Sequence, residues 1–289
     1  MRLCVSCAAT LNGAGWACPR CGLTPPVVDG VTVLAPELAQ GNPVDAVYRY
    51  EALRAAERRH FWFNSRFRLI VWAIERYFPD VQSLFDAGCG TGGVLSALRL
   101  RLPRVRIVAG DAHLSGLAFA RRQQPEIAFV QIDLRRLPYD REFDVVGLFD
   151  VLEHLDDDEQ ALRELFRSTR PGGGLIVTVP QHRFLWSALD EFSHHRRRYS
   201  RRELVEKISR AGYVVQRATS FMSVTLPLQL ASRLLQQDAV TLDPVAELQL
   251  NPVVNGVLRA MCSVERSMIV SGCSLPVGGS LLAIARRAS

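Results

Sequence analysis

The feature that most limits what this chain can become lies between residues 83 and 179, where short apolar, β-branched runs alternate with segments of helical periodicity. The strand-like runs fall at residues 83–87, 105–110, 127–133, 143–149 and 175–179. Their nearly unbroken apolar character suits strands covered on both faces. Residues 94–101, 115–123 and 157–169 carry apolar side chains at helical spacing between them. This alternation predicts an α/β fold on a mainly parallel sheet, with ligands received beyond the C-terminal ends of the strands. With 289 residues, 48% of them hydrophobic, the chain can bury one sizeable core and carry a minor module besides.

The first strand runs into Asp86-Ala87-Gly88-Cys89-Gly90-Thr91-Gly92-Gly93 directly before a helix. Glycines there let backbone approach a ligand closely, although ordinary tight turns use them too. A dinucleotide fingerprint is G-x-G-x-x-G, whereas Gly88, Gly90 and Gly92 give G-x-G-x-G. Asp111 follows the second strand, where it can accept both hydrogen bonds of a ribose diol, and Asp133 ends the third, where it can accept from an adenine amino group. Either alone reads equally well as a helix cap or turn residue. Their order and spacing favour a nucleoside.

The segments DAGCGTGG, AGDAHLSGLAFAR, QIDLRRLPY, FDVVGLFDVLEHL and RPGGGLIVTVP resemble the successive motifs of class I S-adenosylmethionine-dependent methyltransferases over about residues 61–221, nearest the ubiquinone-biosynthesis and type 11 groups. The resemblance implies a doubly wound, mainly parallel, seven-stranded Rossmann-like sheet and S-adenosylmethionine as cofactor. It places Asp86, Gly88, Gly90 and Gly92 around the methionyl part, Asp111 on the ribose, Asp133 with Leu134 on the adenine, and Phe149 along the pocket. It also places Arg68, at the matching distance upstream, on the cofactor carboxylate. Read from its helix alone, Arg68 is a solvated face residue.

Four of the seven cysteines form two knuckles, Cys4-Val5-Ser6-Cys7 and Cys18-Pro19-Arg20-Cys21. Four thiolates so spaced can converge on one tetrahedral ion, for which zinc is the natural choice. A redox dithiol is the competing reading, but such motifs come singly at a helix start. The expected organisation is a zinc ribbon over residues 1–30, a proline-bearing linker over 31–43, and a methyltransferase domain over 44–289 with a helical insertion at about 222–279. The zinc is expected to be structural. No export-type leader precedes the cysteines, so a cytoplasmic protein is expected, with peripheral membrane contact left open.

Candidate acceptor-handling residues follow the fourth and fifth strands. His154 sits in Asp150-Val151-Leu152-Glu153-His154, where shaping the loop is as good a reading as catalysis. The later stretch Pro180…Trp186…Asp190…His195-Arg196-Arg197-Arg198-Tyr199-Ser200 resembles that of a bacterial methyltransferase group close to the ubiquinone-type enzymes. His195 is the leading candidate base and Asp190 its orienter, with Trp186, Arg197 and Tyr199 on the acceptor. A solvated basic turn and helix cap is the plain alternative.

The insertion is rich in apolar residues and reads as a lid over a hydrophobic acceptor, a membrane-contact element, or a packing or dimer surface. Together these features favour O-methylation of a small, hydrophobic or lipid-linked acceptor. A ribosomal or transfer RNA methyltransferase that uses its ribbon on RNA is the second reading, since the net charge is +6. Lys207 is the only lysine among 35 basic residues, however, so the charge says little about nucleic acid. The fourth strand also lacks the Asn/Asp-Pro-Pro-aromatic end common in enzymes that methylate base amines. A non-catalytic cofactor-binding partner protein is the third.

Overall fold

A computed structural model describes residues 1–13, 15–39, 50–235 and 250–289. Strands β1 (Arg2–Leu3) and β2 (Thr10–Leu11) pair antiparallel on either side of the first cysteine knuckle, and β3 (Val27–Val28) and β4 (Val31–Val33) form a second hairpin. Helices α1 (Tyr50–Arg59) and α2 (Phe61–Tyr77) follow. Then come β5 (Ser83–Ala87), α3 (Gly93–Arg101), β6 (Arg106–Asp111), α4 (Leu114–Gln123), β7 (Ala128–Gln131), β8 (Phe143–Phe149), α5 (Asp158–Ser168) and β9 (Thr169–Pro180). The chain continues through α6 (Ala188–Phe192), α7 (Arg201–Arg210), β10 (Val214–Phe221), α8 (Leu226–Leu235), α9 (Pro252–Val270) and β11 (Ser280–Arg286).

The sheet order is β10-β11-β9-β8-β5-β6-β7-β4-β3, parallel from β9 to β4, with β11 antiparallel to both β9 and β10. Strands β5–β11 are the seven expected. Successive residues of each strand enter opposite layers, as the two-residue period requires. Leu84, Val145 and Ile176 join Ile70, Ile74, Leu95, Leu98 and Leu117 of α2, α3 and α4. Phe85, Val146, Leu175 and Val177 join Leu162, Leu165, Leu204 and Ile208 of α5 and α7.

The stretch from residue 31 departs from an extended linker. β4 pairs in parallel with β7, Thr32 opposite Val130 and Val33 opposite Gln131, so the sheet has nine strands among the described residues. Val31 and Val33 are buried, and covering the β7 edge satisfies backbone groups that would otherwise face solvent. The buried Gln131 locks the join: its side chain accepts from the Ala35 N–H at 3.0 Å and donates to the carbonyls of Ala35 and Ala112. Residues 40–43 lie outside the described residues.

The ribbon packs on the crossover that leads into β8. The Leu3 N–H donates to the Pro138 carbonyl at 2.9 Å, the terminal ammonium meets Glu142 at 2.8 Å, and Trp16 sets its ring edge on Tyr139. In the insertion, of which residues 236–249 lie outside the described residues, α9 packs along α2. The buried Glu265 fixes it to the exit of β10 by accepting from the N–H groups of Met222, Ser223 and Val224 at 2.6, 2.7 and 2.9 Å. The outer face of α9 exposes Val253, Val257, Met261, Val264 and Met268. No helix among the described residues is long and apolar enough to cross a membrane.

Candidate active site

The strand order reverses at β5, whose neighbours β6 and β8 lead away on opposite sides, and the crevice that results opens at their C-terminal ends. The glycine loop lies there. Gly88, Gly90 and Gly92 all have positive φ, at 85°, 52° and 79°. A Cβ on Gly88 would collide with Val151, whereas one on Gly90 would meet nothing within 4 Å, so the loop presents bare backbone to open space. Asp111 braces the loop, accepting from the Gly90 N–H at 2.9 Å and from that of His113 at 3.0 Å. Beneath it Asp86 is buried and one of its carboxylate oxygens has no partner; burial raises its pKa to about 7, against the opposing charge of Arg66. Asp133 is engaged by Arg135 through both oxygens, at 2.9 and 3.0 Å. Leu134 is buried in the same apolar layer as Leu34 and Leu137. Phe149 is also buried, and its ring fills the room left by Gly147.

Beyond β8 and β9 two loops converge. Asp150 turns the chain with φ of 55°, followed by a 3-10 turn over Leu152–His154. The loop from 181 to 200 arches out and returns alongside its own start, where the Tyr199 N–H donates to the Pro180 carbonyl and the His182 N–H to the Tyr199 carbonyl. Asp190 is its keystone. It accepts from the Ser187 N–H and hydroxyl, both at 2.9 Å, and from Arg198 Nε and Nη2 at 2.8 and 2.9 Å. It also faces His195 Nδ1 at 2.8 Å. Burial would raise the Asp190 pKa, but His195 and Arg198 hold it at about 2. Since Asp190 is therefore a carboxylate, Nδ1 carries the hydrogen and a neutral His195 presents its Nε2 lone pair on the side away from Asp190. Nε2 lies 3.9 Å from Glu153 Oε1, and the His154 ring meets the His195 ring edge-on at 4.8 Å between centroids. Glu153 is fully buried with neither oxygen partnered, and burial pushes its pKa to about 8. His154 reaches solvent at one edge, yet crowding by protein atoms and the charges of His195 and His194 keep it below the usual imidazole range.

Residues 85–177 match the family model described as a methyltransferase domain. Over these residues the chain is similar to a methyltransferase domain. Over 133 residues it is 35% identical to malonyl-[acyl-carrier protein] O-methyltransferase of Enterobacter lignolyticus, covering 44% of this chain and 52% of that one. Over 115 residues it is 33% identical to trans-aconitate 2-methyltransferase of an Azoarcus species, covering 40% and 43%. The chain thus spans about half the length of these relatives. Among solved structures it resembles a chain from the complex of the Haloferax volcanii Trm112 methyltransferase activator with a methyltransferase, at 20% identity and a TM-score of 0.57, covering 87% of this chain and 100% of the other. That likeness concerns the fold.

Of the expected residues, some meet and others do not. Gly88, Gly90, Gly92, Asp86 and Asp111 gather at one crevice, and His195, Asp190 and His154 at its neighbouring loops. Arg68 does not join them: it is exposed on the outer face of α2. Arg66 takes the inward position instead. It is buried, ion-paired with Asp150 and stacked on Trp62 at 4.6 Å, and burial lowers its pKa to about 10. Arg197 and Tyr199, expected on the acceptor, are turned the other way. Both bind Asp158, at 3.1 and 2.7 Å, which Lys207 also grips, so they anchor the loop to the start of α5. Trp186 lies on the exposed side of the loop, near Phe184, with Nε1 3.4 Å from Glu191.

Sequence reading missed Glu153, Arg66 and Glu57. Glu57, on α1, accepts from the Thr91 hydroxyl at 2.9 Å and packs its carboxylate over Gly93. Arg66 was legible: it falls on the Phe63, Phe67, Ile70, Ile74 stripe that α2 buries, and Arg68 on the opposite side. In the ribbon, the four sulfurs lie within 4.8 Å of one another, Cys4 to Cys21 and Cys7 to Cys18 at 3.6 Å. Tetrahedral zinc with bonds of about 2.3 Å needs sulfurs about 3.8 Å apart. The backbone N–H of Cys7 lowers the Cys4 thiol to about 6, favouring the thiolate. The site fits zinc.

Proposed function

We propose that this protein transfers a methyl group from S-adenosylmethionine to an oxygen of a small, partly hydrophobic or lipid-linked acceptor. The observation that carries the reading is the pair of the half-buried His195 with the buried Asp190, set on the loop after β9 at the same end of the sheet as the glycine loop. The cofactor supplies an electrophilic methyl on a sulfonium. Gly90 leaves open space for its methionyl part, Gly88 and Gly92 hold the loop in the turn that presents it, Asp111 accepts from its ribose, and the unpartnered oxygen of Asp86 suits a cationic group. Arg66 is the arginine placed for its carboxylate. Asp133 and Leu134 flank the adenine, with Asp133 shared between Arg135 and the amino group.

His195, fixed by Asp190, is the group through which the acceptor oxygen gives up its proton. The first relative acts, by its name, on an oxygen of a carrier-bound malonyl group. The exposed Phe184, Trp186, Leu228 and Leu230 on the loop and α8 suit an acceptor with an apolar portion. Cys4, Cys7, Cys18 and Cys21 hold a structural zinc, consistent with a ribbon docked on the body rather than held away from it.

Incubation with methyl-labelled S-adenosylmethionine and deproteinised cell extract tests the reading: label should enter an organic-soluble or small-molecule fraction. Label in RNA would overturn it in favour of the ribbon as an RNA-recognition module, and cofactor binding without turnover would favour a non-catalytic partner. His195→Ala should cut transfer by at least ~100-fold while cofactor affinity holds; equal turnover would remove His195 from the chemistry.

A further inference from the structure

We propose that Glu153, His154 and His195 form a binding site for a divalent cation, with open coordination positions facing the acceptor. The inference rests on the proposed function only for where the acceptor sits, and it refines the part of His195 from bare base to ligand. One ligand atom from each of the three residues lies within 4.8 Å of the others. Neighbouring ligands of an ion bound at about 2.1 Å stand about 3 Å apart, so small side-chain rotations close the set.

Three independent features point to an ion. Glu153 is 0% exposed and neither carboxylate oxygen has a partner. Arg66 and Arg198 lie near enough to act on Glu153 through their charge, but they direct their ion pairs at Asp150 and Asp190, so no donor among the described residues reaches the Glu153 carboxylate. His195 has its Nδ1 fixed on the Asp190 carboxylate and its Nε2 turned toward Glu153, the carboxylate–histidine–metal arrangement that sets the tautomer of a ligating imidazole. His154 is exposed, so the cluster is not sealed from solvent.

Two imidazoles and one carboxylate suit Mn2+, Zn2+ or Fe2+ and leave positions free, unlike the four soft thiolates of the ribbon. An ion there would hold a hydroxyl or carboxylate oxygen of the acceptor and lower the pKa of a bound hydroxyl, whose proton would pass to solvent because Nε2 of His195 would be taken up by the ion. The acceptor class that follows carries an oxygen able to coordinate beside its apolar part.

Manganese distinguishes this site from the ribbon. Zinc-loaded full-length protein titrated with Mn2+, with free ion followed by electron paramagnetic resonance, should show one site per chain. Glu153→Gln and His154→Gln should each weaken it by about tenfold or more, with Tm and S-adenosylmethionine affinity near those of the parent. Absence of a stoichiometric site, or binding unchanged in both variants, would overturn the proposal. Mn2+ binding that the variants abolish, in a protein that transfers no methyl to any extract fraction, would uphold the site and count against the methyltransferase reading.

Discussion

Arg66 and Arg68 sit two residues apart and have opposite fates. A resemblance based on distance along the chain selects Arg68, but helical phase turns it to solvent and sends Arg66 under α2 to Asp150. Arg68→Ala should therefore change stability by no more than about 0.5 kcal/mol, as for most surface substitutions. Arg66→Ala leaves the half-buried Asp150, whose Oδ2 is shielded from solvent, without its partner and should cost about 2–3 kcal/mol, read as a lower Tm and denaturant midpoint. Cofactor affinity should fall with Arg66 and not with Arg68. Glu153 teaches a different lesson at this scale. The Asp150-Val151-Leu152-Glu153-His154 run shows a carboxylate beside a histidine, but not that the loop buries it, because burial there depends on the separate 181–200 loop closing over it. The contact between His195 and Asp190 was legible because both lie within one short motif whose spacing survives folding.

The elements of the central sheet were legible because parallel strands must be apolar on both faces, and their sequence positions match the structure to within a few residues, apart from the longer β9. β4 was not, because Val31-Thr32-Val33 is too short to declare itself and forms only through Gln131 and the β7 edge. Arg197 and Tyr199 misled for a related reason: the motif shows basic and aromatic groups but not the Asp158 that claims them. Asp158 is buried, which favours its neutral form, yet Lys207, Tyr199 and Arg197 together hold its pKa below the ordinary value. A depressed carboxylate contributes stability above its unfolded pKa, and that contribution is lost as pH falls through the folded one. Asp158→Asn should thus lower Tm most near neutrality, and the gap to the parent should shrink below about pH 4. In the insertion, Glu265→Ala leaves three N–H groups at the β10 exit without an acceptor. It should cost about 2–4 kcal/mol, with hydrogen exchange rising first in α9 and residues 222–224.

Across the whole molecule the ribbon and the sheet form one body, since Leu3, Trp16 and the terminal ammonium all contact residues 138–142. Removing the metal should therefore be felt beyond the ribbon. Chelation, or Cys18→Ser, should release one zinc per chain, lower Tm and expose Tyr139, which the protein otherwise buries. Zinc release with unchanged Tm and Tyr139 protection would show that the docking is energetically idle. The double knuckle made the convergence of the four sulfurs legible from spacing alone, whereas the surface on which the ribbon docks was hidden in an ordinary crossover.

The arch from residue 181 to 200 is closed at its base, Asp190 and Arg198 tying both limbs to the Gln181 carbonyl, while Phe184 and Trp186 stand at its outer side. Such a loop is a cassette. Its tip can change in size and greasiness without moving the imidazole that its base holds, so a lineage built on this scaffold could switch acceptors by drift at a few rim positions while its chemistry stayed in place.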